Sequence, residues 1–227
     1  MARYKTVLLD ADNTLLDFEA TERQALRRSL EKRGVPFNGQ VLQTYLNINR
    51  PLWAAHYRGE ISRDELMTRR FGDFAQVLGI QADPAEWNRD YLHMLGDCGD
   101  VLPGAVELLR ALKPHCALVL ATNGVADTQR RRLRNNPIVP YLDAIFISEE
   151  MGIGKPAKGY FDRILTALNA DPATTVMVGD DLNSDIQGAI NAGLDSIWYS
   201  QAKERNPLPT YQAESLEKVA EIILEER

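Results

Sequence analysis

Four short, unbroken apolar runs separated by helical stretches constrain this chain more than any other feature. The runs lie at 117–121, 144–147, 175–178 and 196–199, and none alternates polar with apolar residues as a strand with one wet face would. Continuous runs of this kind mark strands buried on both faces, the habit of parallel sheets. Between them, 105–112, 129–133, 160–168 and 185–191 carry helical spacing. A further run, Val7-Leu8-Leu9, stands near the start of the chain. The alternation predicts an α/β fold with a doubly wound parallel sheet.

From Asp17 to about Asp100 the texture is different. Leu26 and Leu30, then Leu42, Tyr45, Leu46 and Leu52, then Leu66, Phe71, Phe74, Val77 and Leu78 recur at helical spacing. Breaks fall at Gly34-Val-Pro36, Gly59, Gly79 and Asp83-Pro84. The expected organisation is an α/β domain made of residues 1–16 and 100–227, interrupted by an all-helical insert of four or five helices over 17–99. A last amphipathic helix is expected over 215–226.

Open α/β sheets bind ligands beyond the carboxyl ends of their strands. Here those ends carry Asp10 and Asp12, then Thr122-Asn123-Gly124, then Lys155-Pro156, then Gly179-Asp180-Asp181 with Asp185. One lysine, one hydroxyl and several carboxylates would therefore share a single edge. Carboxylates so close cannot all ionise without a cation, and ligation by oxygen alone favours Mg²⁺. Lys155 and Thr122 add positive charge and a donor suited to the oxygens of a transferring phosphoryl group. In that setting Asp10 can attack phosphorus, and Asp12 can protonate the leaving oxygen and then activate water.

These residues resemble the four motifs of the haloacid dehalogenase superfamily of phosphohydrolases, in order: Asp10-Ala-Asp12-Asn13-Thr14-Leu15, Thr122-Asn123-Gly124, Lys155-Pro156, and Gly179-Asp180-Asp181 through Asp185. The resemblance implies a Rossmann-like core with an inserted helical cap, and Asp10 as nucleophile, Asp12 as acid and base. It implies Thr122, Asn123 and Lys155 at the phosphate. Magnesium, with Mn²⁺ as a substitute, would be held by Asp10, the Asp12 main-chain carbonyl and Asp180, supported from behind by Asp185 and Asp181. Many relatives place Gly where this chain has Asn13. More narrowly, Asn49-Arg50-Pro51-Leu52-Trp53, Gly59-Glu60-Ile61 and Ser148-Glu149-Glu150-Met-Gly152 are similar to bacterial noncanonical pyrimidine 5′-nucleotidases. That similarity implies hydrolysis of pyrimidine nucleoside monophosphates, with Arg50, Trp53 and Arg70 of the insert as substrate contacts. The alternatives are a phosphatase for a sugar phosphate or phosphoglycolate, a phosphomutase, a 2-haloacid dehalogenase, and a non-catalytic phosphate-binding module.

Composition narrows the partners. A net charge of −6 disfavours nucleic acid and anionic membranes. The expected ligand, a small phosphomonoester, is what the strand-end residues and the resemblance imply. Two cysteines without close spacing suggest neither a disulfide framework nor a zinc site, and the expected location is the cytoplasm. Arg130-Arg131-Arg132-Leu133-Arg134 reads as a solvated helix face. Gly154-Lys155 is no P-loop, because Pro156 stands where Ser or Thr is required. The choice between monomer and homodimer is left open.

Overall fold

The computed structural model describes residues 2–225. The expected helix end at Glu226 and the predicted domain limits at residues 1 and 227 lie outside the described residues. In chain order the elements are β1 (Thr6–Leu9), α1 (Phe18–Glu31), α2 (Gly39–Tyr57), α3 (Arg63–Leu78), α4 (Pro84–Gly96) and α5 (Ala105–Leu112). There follow β2 (Ala117–Thr122), α6 (Ala126–Leu133), β3 (Ala144–Ile147), α7 (Ser148–Met151), α8 (Lys158–Leu168) and β4 (Thr175–Gly179). The chain continues with α9 (Gln187–Ala192), β5 (Asp195–Tyr199), β6 (Tyr211–Ala213) and α10 (Leu216–Leu224).

Among the described residues six strands form one parallel sheet in the order β3-β2-β1-β4-β5-β6. Side chains alternate between faces along each strand, so one face is built from Val7, Leu9, Leu118, Leu120, Val176 and Val178. This face packs under α5 and α10 through Leu108, Leu109, Val219 and Ile223. Leu8, Val119 and Met177 point the other way, onto Tyr160, Phe161 and Ile164 of α8. Both faces are covered, which explains why the runs read as continuous apolar sequence. After β1 the chain builds outward through β2 and β3, then returns past β1 to lay down β4, β5 and β6. The direction of winding thus reverses at β1 and β4, the switch point where such sheets open a crevice. Leu9 pairs in register with Leu120 and Val178, so the three strands end within two residues of one another at one edge of the sheet.

The chain divides into two compact units, one of residues 1–18 and 99–227, the other Glu19–Cys98. The second unit is helical. Its helices begin and end at the expected breaks: Ser62 caps α3 through the Glu65 amide, Gly79 closes α3 in the left-handed conformation, and Asp83 caps α4 with Pro84 in its first turn. Its core is aromatic. Phe71 stacks on Trp87 at 5.1 Å, and Tyr45 lies 5.4 Å from Phe74 and 5.9 Å from Tyr91. Among the described residues no helix is long and apolar enough to cross a membrane.

One carboxylate is buried in this unit. Glu22 of α1 is 7% exposed and accepts a hydrogen bond from Asn49 Nδ2 at 3.2 Å. Burial pushes its pKa up to about 7, against the pull of Arg70 and Arg50. A raised carboxylate pKa means the folded protein retains a proton that the unfolded chain has released. Stability is therefore full below the unfolded value of about 4.5 and falls as pH rises to about 7. Glu22→Gln should flatten this slope and gain up to roughly 3 kcal/mol over the native chain above neutral pH. Urea denaturation of both proteins at acid and alkaline pH checks it; parallel pH profiles would contradict the buried charge.

Candidate active site

The site is built where the ends of β1, β2 and β4 meet the loop after α7. Asp10 follows β1 directly, its amide hydrogen-bonded to the Val178 carbonyl at 2.9 Å, so its position is fixed by the sheet. Asn13, the residue after Asp12, adopts φ 59°, a left-handed conformation that Asn tolerates better than most side chains and that turns the chain back. Leu15 and Leu16 then both donate to the Ala11 carbonyl, closing the turn that presents Asp10 and Asp12.

Lys155 is the centre of charge. Its Nζ lies 2.5 Å from Asp10 Oδ1, 2.7 Å from Asp185 Oδ1 and 2.7 Å from the Ala121 carbonyl, with the side chain 1% exposed. Burial alone would disfavour its charge, but Asp10 and Asp185 override it and hold the ammonium protonated well above the usual lysine range. Asn123 sets the loop that carries it: the Asn123 amide donates to the Lys155 carbonyl at 2.8 Å and its oxygen accepts from the Lys155 amide at 2.9 Å. The Asn123 side chain thus ties the β2 loop to the lysine loop.

Asp10, Asp180 and Asp185 each offer a carboxylate oxygen, and these atoms lie within 4.8 Å of one another. Burial first, then mutual repulsion, raises the pKa of Asp10 and of Asp180 above the carboxylate range. One lysine does not balance this set, and the donors are oxygen only. The chemistry therefore fits a hard divalent cation. Trp198 of β5 anchors the Asp180 main chain by donating Nε1–H to its carbonyl at 2.8 Å. Asp185 approaches Gly179 so closely that a Cβ there would stand 2.2 Å from Asp185 Oδ2, so no larger residue fits without displacing the carboxylate. Asp181 faces a different task. Its carboxylate caps the π-helical turn Leu182–Ile186 by accepting from the amides of Asn183 at 2.6 Å and Ser184 at 3.1 Å.

The residues expected from the insert differ in exposure and in partners. Arg50 is exposed, 3.9 Å from Glu19. Trp53 is half-buried beside Tyr57 and His56. Arg70 is buried, and its Nε and Nη2 both donate to Asn88 Oδ1.

The arginine run corrects the sequence reading. Arg130 is exposed and pairs with Glu150, as a solvated face would. Arg132 is 3% exposed and its guanidinium makes an ion pair with Asp12. Gln129, one helical turn earlier, donates to Asp12 Oδ2 at 2.9 Å. A helical wheel carries the missed signal: Gln129, Arg132 and Leu133 share the inward face of α6, whereas Arg130 and Arg134 point out.

A haloacid dehalogenase-like hydrolase family model matches residues 4–193. The chain belongs to this family. It is a hydrolase. It is 36% identical to the HAD-hydrolase YfnB of Bacillus subtilis, over 98% of this chain and 97% of that one. The YfnB crystal structure, which is bound to magnesium, superposes with a TM-score of 0.93, covering 97% of this chain and 99% of its own. The hydrolase is also 33% identical to the pyrimidine 5′-nucleotidase YjjG of Escherichia coli, over 97% of this chain and 98% of that protein. To the pyrimidine 5′-nucleotidase PynA of Streptococcus pneumoniae it is 34% identical, over 97% and 95% of the two chains.

Proposed function

We propose that this hydrolase is a phosphomonoesterase acting through an aspartyl-phosphate, with pyrimidine nucleoside 5′-monophosphates as its substrates. The observation that carries the reading is the pairing of one buried lysine with Asp10, beside an Asp12 whose carboxylate is oriented by Gln129 and Arg132. An Asp10 oxygen attacks phosphorus. The bond from phosphorus to the ester oxygen breaks as Asp12, which enters the cycle protonated, gives that oxygen its proton, releasing the nucleoside. Water then attacks the same phosphorus, Asp12 takes the water proton, and the bond from Asp10 to phosphorus breaks to free inorganic phosphate. Lys155 and Thr122 bind phosphoryl oxygens and offset the charge that develops on them.

Magnesium, or Mn²⁺ in its place, would be held by Asp10, the Asp12 carbonyl and Asp180, with Asp185 behind them; when bound it supplies charge neutralisation at the phosphoryl oxygens. The magnesium-bound structure of YfnB supports this choice. The activities of YjjG and PynA support the pyrimidine assignment. We assign the choice among monophosphates to the helical unit, where Arg50 and Trp53 are accessible and Arg70 is internal.

A phosphate-release panel of dUMP, dTMP, UMP, purine monophosphates and sugar phosphates tests both parts. Pyrimidine monophosphates should give the highest kcat/KM, and EDTA should abolish release until Mg²⁺ or Mn²⁺ is restored. A sugar phosphate outpacing every nucleotide would remove the substrate assignment. Silence across the panel would remove the enzyme assignment.

A further inference from the structure

Asp12 and Thr122 belong to different strand ends, yet one pair of side chains on α6 holds both. Gln129 Nε2 donates to Asp12 Oδ2 and to Thr122 Oγ1, each at 2.9 Å. Arg132 Nη1 pairs with Asp12 Oδ1 and also donates to Gln129 Oε1 at 3.1 Å. The arginine thereby fixes which way the Gln129 amide points. Its own side chain is 1% exposed and lies over the Phe18 ring, 5.6 Å from the centroid. Gly124 makes room for the amide: a Cβ there would stand 2.3 Å from Gln129 Nε2.

Two consequences follow from donor and acceptor counting. The Asp12 carboxylate receives one donor on each oxygen, which fixes its rotamer while leaving each oxygen a lone pair for proton transfer. Thr122 Oγ1 accepts from Gln129 Nε2 and from the Gly124 amide at 3.1 Å, which fills both lone pairs of the hydroxyl. Its O–H is then left to act only as a donor, the sense a phosphoryl oxygen requires.

We propose that Gln129 and Arg132 are positioning residues that place the Asp12 carboxylate for proton transfer and commit the Thr122 hydroxyl to donation toward phosphate. The inference rests on the phosphomonoesterase reading of the site. Neither residue is assigned a contact with the phosphoryl group or the leaving oxygen; each acts through Asp12 or Thr122.

The test compares kcat/KM for dUMP, whose alkoxide must be protonated as it leaves, with that for 4-nitrophenyl phosphate, whose phenolate leaves without help. Arg132→Met should lower the dUMP value by about 10²-fold and the nitrophenyl value by less than about tenfold, as loss of general-acid placement does. Arg132→Lys, which keeps a charge able to reach Asp12, should fall between. In an Asp12→Asn background Arg132→Met should cost nothing more, because a residue acting through Asp12 has nothing left to position. Gln129→Leu should weaken competitive inhibition by inorganic phosphate by about tenfold, the worth of one donor to an anion. Equal losses on both substrates, or full multiplication with Asp12→Asn, would overturn the role in placing Asp12; unchanged phosphate inhibition would overturn the role at Thr122. Should Arg132→Met fail to fold, the Arg132→Lys comparison decides by the same ratio. Wild-type release of phosphate from dUMP is measured first, and its absence would overturn the phosphatase reading itself rather than this assignment alone.

Discussion

Asp10→Asn should reduce phosphate release by at least about 10⁴-fold and leave the protein folded, since removal of a nucleophile disables every later step. The amide keeps the shape of the carboxylate but has no anionic oxygen to attack phosphorus. Folding survives because the substitution takes one acid out of a group whose oxygens lie within 4.8 Å of each other, and Lys155 retains Asp185 at 2.7 Å. Single-turnover quench experiments with excess enzyme, alongside thermal unfolding, separate the two effects. Near-normal turnover in the variant would remove Asp10 from the nucleophile role.

Lys155→Met carries the second large effect, and it falls on stability as well as on rate. Methionine fits the space but leaves Asp10 and Asp185 facing each other with no cation between them. Breaking a buried ion pair from one side costs about 3–5 kcal/mol. The cost depends on pH with a definite sign. Asp10 and Asp185 are both raised in the fold, by burial first and by acidic neighbours next, with Lys155 opposing the rise. Without the lysine they rise further, so the folded variant holds protons that the unfolded chain gives up above about pH 4. The stability gap between variant and native chain should therefore be small in acid and widen as pH increases. Turnover should fall by about 10²–10³-fold, the usual penalty for losing one donor at a developing anion. Denaturant melts at two pH values in metal-free buffer check the first part; a gap that narrows with pH would contradict it.

The fold was legible because the sheet is buried on both faces, and burial on both faces writes itself as unbroken apolar sequence. Val7 to Leu9, and the runs at 117–121, 144–147 and 175–178, mark β1 to β4 to within a residue. β6 left no such trace: Tyr211–Ala213 is three residues at the sheet edge, with one neighbouring strand, and of the three Ala213 is buried while Tyr211 and Gln212 are half-buried. The helices of the insert were read from spacing, yet the spacing did not tell Val77, 63% exposed, from Phe74, fully buried. The gathering of side chains was legible at the strand ends, because topology alone brings Asp10, Thr122 and Asp180 to one edge of the sheet, and Lys155 joins them from the loop after α7. Arg132 was not, since a run of arginines on a surface helix is ordinarily solvated and only its phase relative to Leu133 turns one of them inward. Asp181 and Asp185 illustrate the same limit. Acids four residues apart in one loop look interchangeable in sequence, and only the backbone direction after Gly179 makes one a helix cap and the other a partner of Lys155.

The covalent role of Asp10 is the claim on which the rest depends. Acid quench of the wild-type enzyme during turnover of dUMP labelled with ³²P, followed by borohydride reduction and peptide mass analysis, measures it directly. Label should appear on the protein within the first turnover, and reduction should convert Asp10 alone to homoserine. Full turnover with no label on the protein, or label on any other residue, would contradict the account.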